Sequence, residues 1–526
     1  MSPASALFRR AVRDSWTRTL SFAALFLFAT VAQAAAYRSA YPTLADRLEL
    51  ARTFGNNQGT RLLYGVPHDL LTTGGWMSWR LGALPVFTAL WGLFGAVRAL
   101  RGEEDAGRQE LVLAGSAGRR TAFASVIGAM GTGAFILWLA VFLGALPGHV
   151  DVGGAAYLAL ALVTSGLVFA GVGALTSQLA PTRRGALGIG GAVLALALLA
   201  RMVADTSGQL SWLRWGTPLG WAEELRPFAG AQPLVVVLPA VATALLIAAS
   251  WRIARQRDIG AGLLRARDSA PPRRWGLSSP TTQALRAQRG SMLAWLAGAS
   301  AIAVILGALS AGVAKGISAN LNEQLQKLGT SLDSAKGFLG MEFLFLVLAV
   351  CLFACFQVTG AREEEAEQRL ETLLALPVSR GRWLAGRLAL AALAAASIAL
   401  LAAVFAWLGA TSADAGVSLG ALLEAAANAL PITMLFLSVG ALAYATVPRA
   451  SSGIAFGLVG ASFLWSTVGA LAGVPSWVLD LSPFRHVALV PAEDFDVTAA
   501  IVMLVVAGLA STAAVRLFQR RDLVAT

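Results

Sequence analysis

The sequence predicts an all-α polytopic membrane protein, with twelve transmembrane helices arranged as two parallel six-helix pseudo-repeats. Three observations carry that prediction. Hydrophobic residues make up 57% of the chain and charged ones 13%, where a soluble domain has roughly 45–50% and about 25%. Apolar runs of about 20 residues, long enough to cross a bilayer at 1.5 Å per residue, recur from end to end. A charged segment between such runs occurs twice, at a constant offset of 261 residues. Arg101, Glu103, Glu104, Arg108, Glu110, Leu113 and Arg119 meet Arg362, Glu364, Glu365, Arg369, Glu371, Leu374 and Arg380. The alternating ten-residue segments of an outer-membrane barrel do not occur.

In chain order the spans are expected at 17–37, 76–99, 120–146, 153–180, 185–204, 233–251, 290–313, 341–360, 383–410, 418–446, 450–472 and 496–515. An N-terminus in the cytosol then brings the C-terminus back there. Most of the 41 Lys and Arg flank cytosolic segments, the positive-inside signature, while Lys315, Lys327 and Lys336 share one external loop. The net charge of +12 is therefore a matter of topology and membrane lipids, and no nucleic-acid partner is expected. Arg9, Arg10 and Arg13 before an apolar run resemble a cleavable signal peptide. That run, Leu20 to Ala36, is long for a signal, and cleavage would leave an odd number of spans, so the segment is expected to stay. Residues 4–16 should form an amphipathic elbow helix along the cytosolic face.

The first six-span domain is expected at 1–251 and the second at 283–526. The stretch 252–282 between them is basic and contains Pro271-Pro272, so it reads as a cytosolic linker held at anionic headgroups. Six spans is an even number, so the halves share one orientation about an axis along the membrane normal. Gly128, Gly131 and Gly133, and the pair Gly453 and Gly457, offer small surfaces for close helix contact.

The acidic segments carry most of the functional argument. In the second, Glu364, Glu367, Gln368 and Glu371 recur at three and four residues on one polar face, with Leu370, Leu373 and Leu374 on another. Pro377 should stop this helix, and Ser379 should cap the next span. The first copy sets Glu103, Glu104, Asp105 and Glu110 against Leu111, Val112 and Leu113, and ends at Gly115 and Gly118. One such helix would read as a solvated surface element. Two with matching charges and arginines predict paired docking points for something in the cytosol.

A second echo, at offset 265, aligns Ser211-Trp212 with Ser476-Trp477 and Thr217-Pro218 with Ser482-Pro483. Trp212, Pro218, Trp477 and Pro483 are either aromatic-belt anchors or a candidate external gate. Phe87, Trp91 and Phe94 on the second span, and Phe353 and Phe356 on the eighth, are either packing residues or the lining of a hydrophobic cavity. Glu424, one turn from Asn428, is a charge near the end of the tenth span. Cys351 and Cys355 should be small core residues. His68, His149 and His486 fall in separate loops, so no metal spacing exists and no catalytic residue is expected. A phosphate-binding loop needs lysine in GxxxxGK[ST]. The lysines here stand in GVAKG, LQKLG and SAKGF, so ATP chemistry would have to come from another chain.

On these residues the chain resembles the large duplicated permeases of bacterial ATP-binding-cassette exporters, in particular the high-GC Gram-positive group linked with polyketide-antibiotic and multidrug export. The matching stretches are REEEAEQRLETLLALPVSRGRW and its weaker partner in the first half, RDIGAGLL after span six, and SWVLDLSPFRHV. The resemblance implies a transport subunit in the plasma membrane, not itself an enzyme, exporting hydrophobic or amphiphilic drug-like compounds. It implies two copies of a cytosolic ATPase subunit that bind ATP and Mg. These would dock at Glu103, Glu104, Asp105, Arg108 and Glu110, and at Glu364, Glu365, Arg369 and Glu371. The first copy lacks the proline of the second, which implies unequal docking sites. The competing class is a proton-coupled antiporter of the major-facilitator type, for which Glu424 would be the coupling carboxylate.

Overall fold

The computed structural model describes residues 2–55, 60–61, 64–206, 208–264, 276, 279–316, 335–471 and 476–523. Among them there is no strand, and eleven helices are long and apolar enough to cross a membrane. The chain is thus an all-α, multi-pass membrane protein. It divides into two units, Met1–Ala270 and Pro271–Thr526, the division falling within the stretch 252–282.

In the first unit Ser2 caps α1 (Pro3–Ala40), its hydroxyl accepting the Ser5 amide at 3.3 Å. This helix runs unbroken for 38 residues, about 57 Å at 1.5 Å per residue. The break expected between an elbow at 4–16 and a span at 17–37 is not there. From Ala4 to Ala40 the sequence holds neither Gly nor Pro, so nothing stops propagation once Pro3 has started it. After α2 (Leu44–Phe54), α3 (Thr73–Arg80), α4 (Leu84–Val97) and α5 (Arg108–Leu113) come α6 (Arg119–Ala145) and α7 (Val152–Leu179). Then follow α8 (Arg183–Thr206), α9 (Pro218–Glu224) and α10 (Val237–Gln256). α1 packs on α6, while α4, α8 and α10 all pack on α7. The apolar stretch of α7 is accordingly 78% buried, against 17% for α10, so α7 is the axis of the unit and α10 lies at its surface.

The second unit comprises α11 (Pro280–Gly316), α12 (Ala335–Ala366), α13 (Arg369–Leu374), α14 (Arg380–Ser412), α15 (Leu419–Thr446), α16 (Ser451–Leu471), α17 (Ser476–Leu479) and α18 (Val497–Arg520). Its packing follows the same plan: α11 lies on α14, and α12, α16 and α18 lie on α15. α16 covers most of the stretch expected as the eleventh span, but it is not one of the eleven long apolar helices: its apolar part, Ser451–Phe463, is shorter. Ser379 caps α14 as expected, its hydroxyl accepting the Arg382 amide at 3.3 Å. Cys351 and Cys355 are buried, Cys351 Sγ lying 3.6 Å from Thr433 Oγ1. Lys315 ends up in the last turn of α11 and Lys336 in the first turn of α12, while Lys327 lies outside the described residues.

Close helix contact is made mostly by glycines other than those expected. A methyl group at Gly307 would strike the Ala406 carbonyl, and one at Gly409 the Val304 carbonyl, so α11 and α14 meet backbone to backbone. Gly133 does receive Trp91, and Gly128 touches Phe8. A methyl group at Gly131, Gly453 or Gly457 would meet nothing within 4 Å among the described residues.

Candidate docking site: a clamped acidic turn in each unit

The acidic segment of the first unit grows directly out of α4. A π-turn, Arg98–Gly102, and a further turn, Glu103–Asp105, lead to Gly107, whose φ of +70° breaks the helix before α5. In the second unit the break falls at Gln368, φ +60°, between α12 and α13. Gly107 and Gln368 are separated by the same offset as the charged residues. The single amphipathic helix expected in each copy is therefore two pieces joined through a left-handed residue, easy for Gly and uncommon for Gln.

This turn sends one carboxylate inward. Glu104 is 2% exposed at its side chain and accepts from Arg101 Nη1 at 2.9 Å and Arg257 Nη2 at 2.6 Å. Its other oxygen takes Arg257 Nη1 and the Gly260 amide, each at 2.8 Å. Arg257 is the residue that caps α10, the sixth span. The second unit repeats the arrangement at Glu365, 1% exposed, which binds Arg521 at 2.8 and 3.0 Å and has Arg362 3.9 Å away. Arg521 in turn caps α18, and its guanidinium lies 5.1 Å from the centre of the Tyr444 ring. Each acidic turn is thus clamped to the arginine end of the last long apolar helix of its own unit, where a cation also suits the helix dipole. Glu364 is buried too, paired with Arg387 of α14.

The remaining acidic residues face outward. Glu103, 27% exposed, binds Arg10 at 3.1 Å and Arg108 at 3.0 Å. Asp105 accepts the Arg183 amide at 2.6 Å. Arg108, Glu110, Arg369 and Glu371 are exposed, Arg369 pairing with Glu367 at 2.8 Å. Leu370 is fully buried beneath α13, whereas Leu111 and Leu376 project, 76% and 58% exposed. The predicted docking residues therefore form two sets: an outer rim of charge around a projecting leucine, and an inner carboxylate that fixes the turn. Arg257 and Arg521 are the members that sequence reasoning missed. The signal was there, in Arg257-Asp258 and Arg521-Asp522 after matching spans.

At the opposite end the second echo has the same local build in both units. Thr217 caps α9 by accepting the Gly220 amide at 2.9 Å, and Ser482 accepts the Phe484 amide at 3.3 Å at the head of a 3-10 turn. Pro218 and Pro483 hold the first helical position, and Trp212 and Trp477 are exposed. The first unit adds a buried ionic cluster that the sequence reading passed over. Arg201 reaches Asp205 at 3.2 Å and Glu223 at 3.5 Å; Arg214 reaches Asp205 at 3.0 Å and Glu224 at 2.9 Å; Arg226 reaches Glu224 at 2.6 Å. An Arg and an Asp four residues apart within an apolar run were the available clue.

The aromatic residues also divide. Trp91 and Phe353 are fully buried, Phe353 against Trp295 with centroids 5.8 Å apart. Phe87, Phe94 and Phe356 are 44%, 48% and 50% exposed. Glu424 is exposed, and Asn428 Nδ2 is engaged by the Ala488 carbonyl at 2.7 Å. No cluster of metal-binding side chains occurs among the described residues.

A family model described as multidrug efflux system permease Rv1217c, C-terminal domain, matches residues 277–519, which include the second acidic turn. The chain is also 32% identical over 497 residues to the multidrug efflux system permease protein Rv1217c of Mycobacterium tuberculosis (strain ATCC 25618 / H37Rv). That match takes in 93% of this chain and 89% of the relative, so it reaches both units and both acidic turns. A likeness of that extent makes the chain a member of the multidrug efflux system permease family.

Proposed function

We propose that the chain is the membrane-embedded subunit of an ATP-binding-cassette exporter that carries hydrophobic or amphiphilic, drug-like compounds out across the bacterial plasma membrane. Two copies of a separate cytosolic ATPase, holding ATP and Mg, supply the energy. The observation that carries this reading is the clamped acidic turn found in each unit. A docking element must present an exposed surface and must also be rigidly joined to the spans it moves. Glu110 and Leu111, with Glu371 and Leu376, supply the surface. Glu104 with Arg257, and Glu365 with Arg521, supply the joint. Both termini then lie in the cytosol, beside the arginine-rich ends of the spans.

The capped prolines 218 and 483, with Trp212 and Trp477, belong to the external side in this reading and would form its gate. Phe87, Phe94 and Phe356 are the aromatic side chains open to hydrophobic cargo. The proton-coupled alternative loses its support, because Glu424 is exposed and Asp205, Glu223 and Glu224 are each met by arginine. The test is charge reversal on the rim. Glu110→Lys with Glu371→Lys should abolish co-purification of the ATPase while the thermal midpoint of the permease stays put. Export should stop when the partner's phosphate-loop lysine is replaced and should survive collapse of the proton gradient. Undiminished co-purification of the double variant would refute the docking assignment.

A further inference from the structure

At the arginine-rich end of the first unit, the start of α1, the end of α4, the start of α6 and the end of α10 surround a cavity that is open to solvent. One wall is apolar, formed by Leu7, Phe123, Val126, Met130 and Trp251. The other is charged, and its carboxylates are largely engaged by arginines. Asp14 pairs with Arg10 at 3.5 Å, Glu103 with Arg10 at 3.1 Å and with Arg108, and Glu104 with Arg101 and Arg257. Asp258 is exposed. Arg119 gives a hydrogen bond to the Arg257 carbonyl at 3.0 Å.

Two guanidiniums on this wall are left over. Neither Arg18 of α1 nor Arg98 of the π-turn has an ion pair or hydrogen bond among the described residues, and Arg18 Nε is buried without a partner. Both line the same cavity, and the Arg18 guanidinium lies against Gly95, one turn before Arg98. Glu103 feels Arg98 but stands beyond ion-pair distance. Two cations lining one cavity, one of them with a buried and unpartnered Nε, are costly unless an anion sits near them. The planar fork of arginine matches phosphate oxygens in particular. The outer face of α1 at this level exposes Phe8, Trp16 and Leu20, an apolar surface next to the mouth of the cavity.

We propose that this cavity binds an anionic phospholipid. Its phosphate is held between Arg18 and Arg98, and an acyl chain lies along Phe123, Val126, Met130 and Trp251. The proposal is independent of which compound is exported and of the ATPase docking reading. It rests on charge complementarity and on the apolar wall directly beside the two cations.

The experiment uses the purified full-length chain, stripped of lipid in detergent and titrated separately with phosphatidylglycerol, phosphatidylcholine and inorganic phosphate. Thermal midpoint and lipid retained in native mass spectrometry are read for each. Phosphatidylglycerol should raise the midpoint and stay bound, at a half-saturating concentration at least about tenfold below that of phosphatidylcholine with the same chains. Arg98→Gln alone, and Arg18→Gln with Arg98→Gln, should erase that preference, while Arg382→Gln on the second unit keeps it. Arg98 is exposed, so its single variant discriminates even if the double variant folds poorly. Equal response to the two lipids would overturn the headgroup assignment. Stabilisation by inorganic phosphate as strong as by phosphatidylglycerol would make this a free-anion site and overturn the lipid. An unchanged preference in Arg98→Gln would remove the guanidinium pair from the account.

Discussion

Replacing Glu104 by Gln tests the clamp most directly. The carboxylate receives four donor contacts, from Arg101, from both Arg257 nitrogens and from the Gly260 amide. The side chains of Arg101, Glu104 and Arg257 are 0%, 2% and 11% exposed, so water screens little of the interaction. Removing one charge from a buried pair leaves the other uncompensated, at about 3–5 kcal/mol. Gln keeps one accepting oxygen, which favours the lower figure. For a unit of this size each kcal/mol moves the midpoint by roughly 2–4 °C, so Glu104→Gln should lower it by about 6–12 °C. Glu103→Gln is the control: its partners Arg10 and Arg108 are 44% and 53% exposed, and such surface pairs are worth about 0–1 kcal/mol. Thermal unfolding followed by tryptophan fluorescence at one scan rate reads both. Adding Arg257→Gln to Glu104→Gln should cost less than the sum of the single variants, because the charge it removes is already unpaired. Glu104→Gln no more harmful than Glu103→Gln, or strict additivity with Arg257→Gln, would refute the clamp.

Gly409→Ala presses a methyl group onto the Val304 carbonyl and should destabilise by about 1–3 kcal/mol. Gly453→Ala, with nothing within 4 Å, should be neutral or stabilising by up to about 1 kcal/mol; equal midpoints for the two variants would contradict the packing. At the head of α2, Thr43 donates to Asp46 Oδ2 at 2.6 Å and holds its carboxyl below the usual range. That stabilisation is fully present above the unfolded carboxyl pKa, near 4, and is lost as pH falls through the lower folded value. Thr43→Ala should therefore flatten the acid limb of the midpoint-against-pH curve, and an unaltered limb would show that the bond contributes nothing.

Spans and caps were legible in the sequence because they depend on local composition. Apolar length located the crossings, and Ser379 before Arg380 announced the start of α14. The acidic turns were legible as a pair but not in their orientation. Periodicity put Glu364, Glu367, Gln368 and Glu371 on one face. The left-handed residue at Gln368 ends α12 beyond Glu364, which stays among the packed helices while Glu371 faces out. Nothing local tells Glu103 from Glu104; the difference is made by Arg257, over 150 residues away. The elbow at 4–16 was inferred from a change in polarity, yet helices end at breakers, and this stretch has none. Arg201 and Asp205 were passed over because their further partners, Arg214 and Glu223, lie beyond the apolar run and meet them only in the fold.

Among the described residues the Arg201 cluster has no counterpart in the second unit. At the offset that sets Thr217-Pro218 against Ser482-Pro483, Arg201, Asp205, Arg214, Glu223 and Glu224 fall opposite Ser466, Ala470, Leu479, Ala488 and Leu489. The nearest equivalent is Arg485 with Asp480, 4.0 Å apart and about half exposed. The capped turn of the first unit is riveted by ion pairs, and that of the second is merely capped. Amide protons around Leu479 to Val487 should then exchange well before those around Thr217 to Leu225, so the second unit loosens first at this turn.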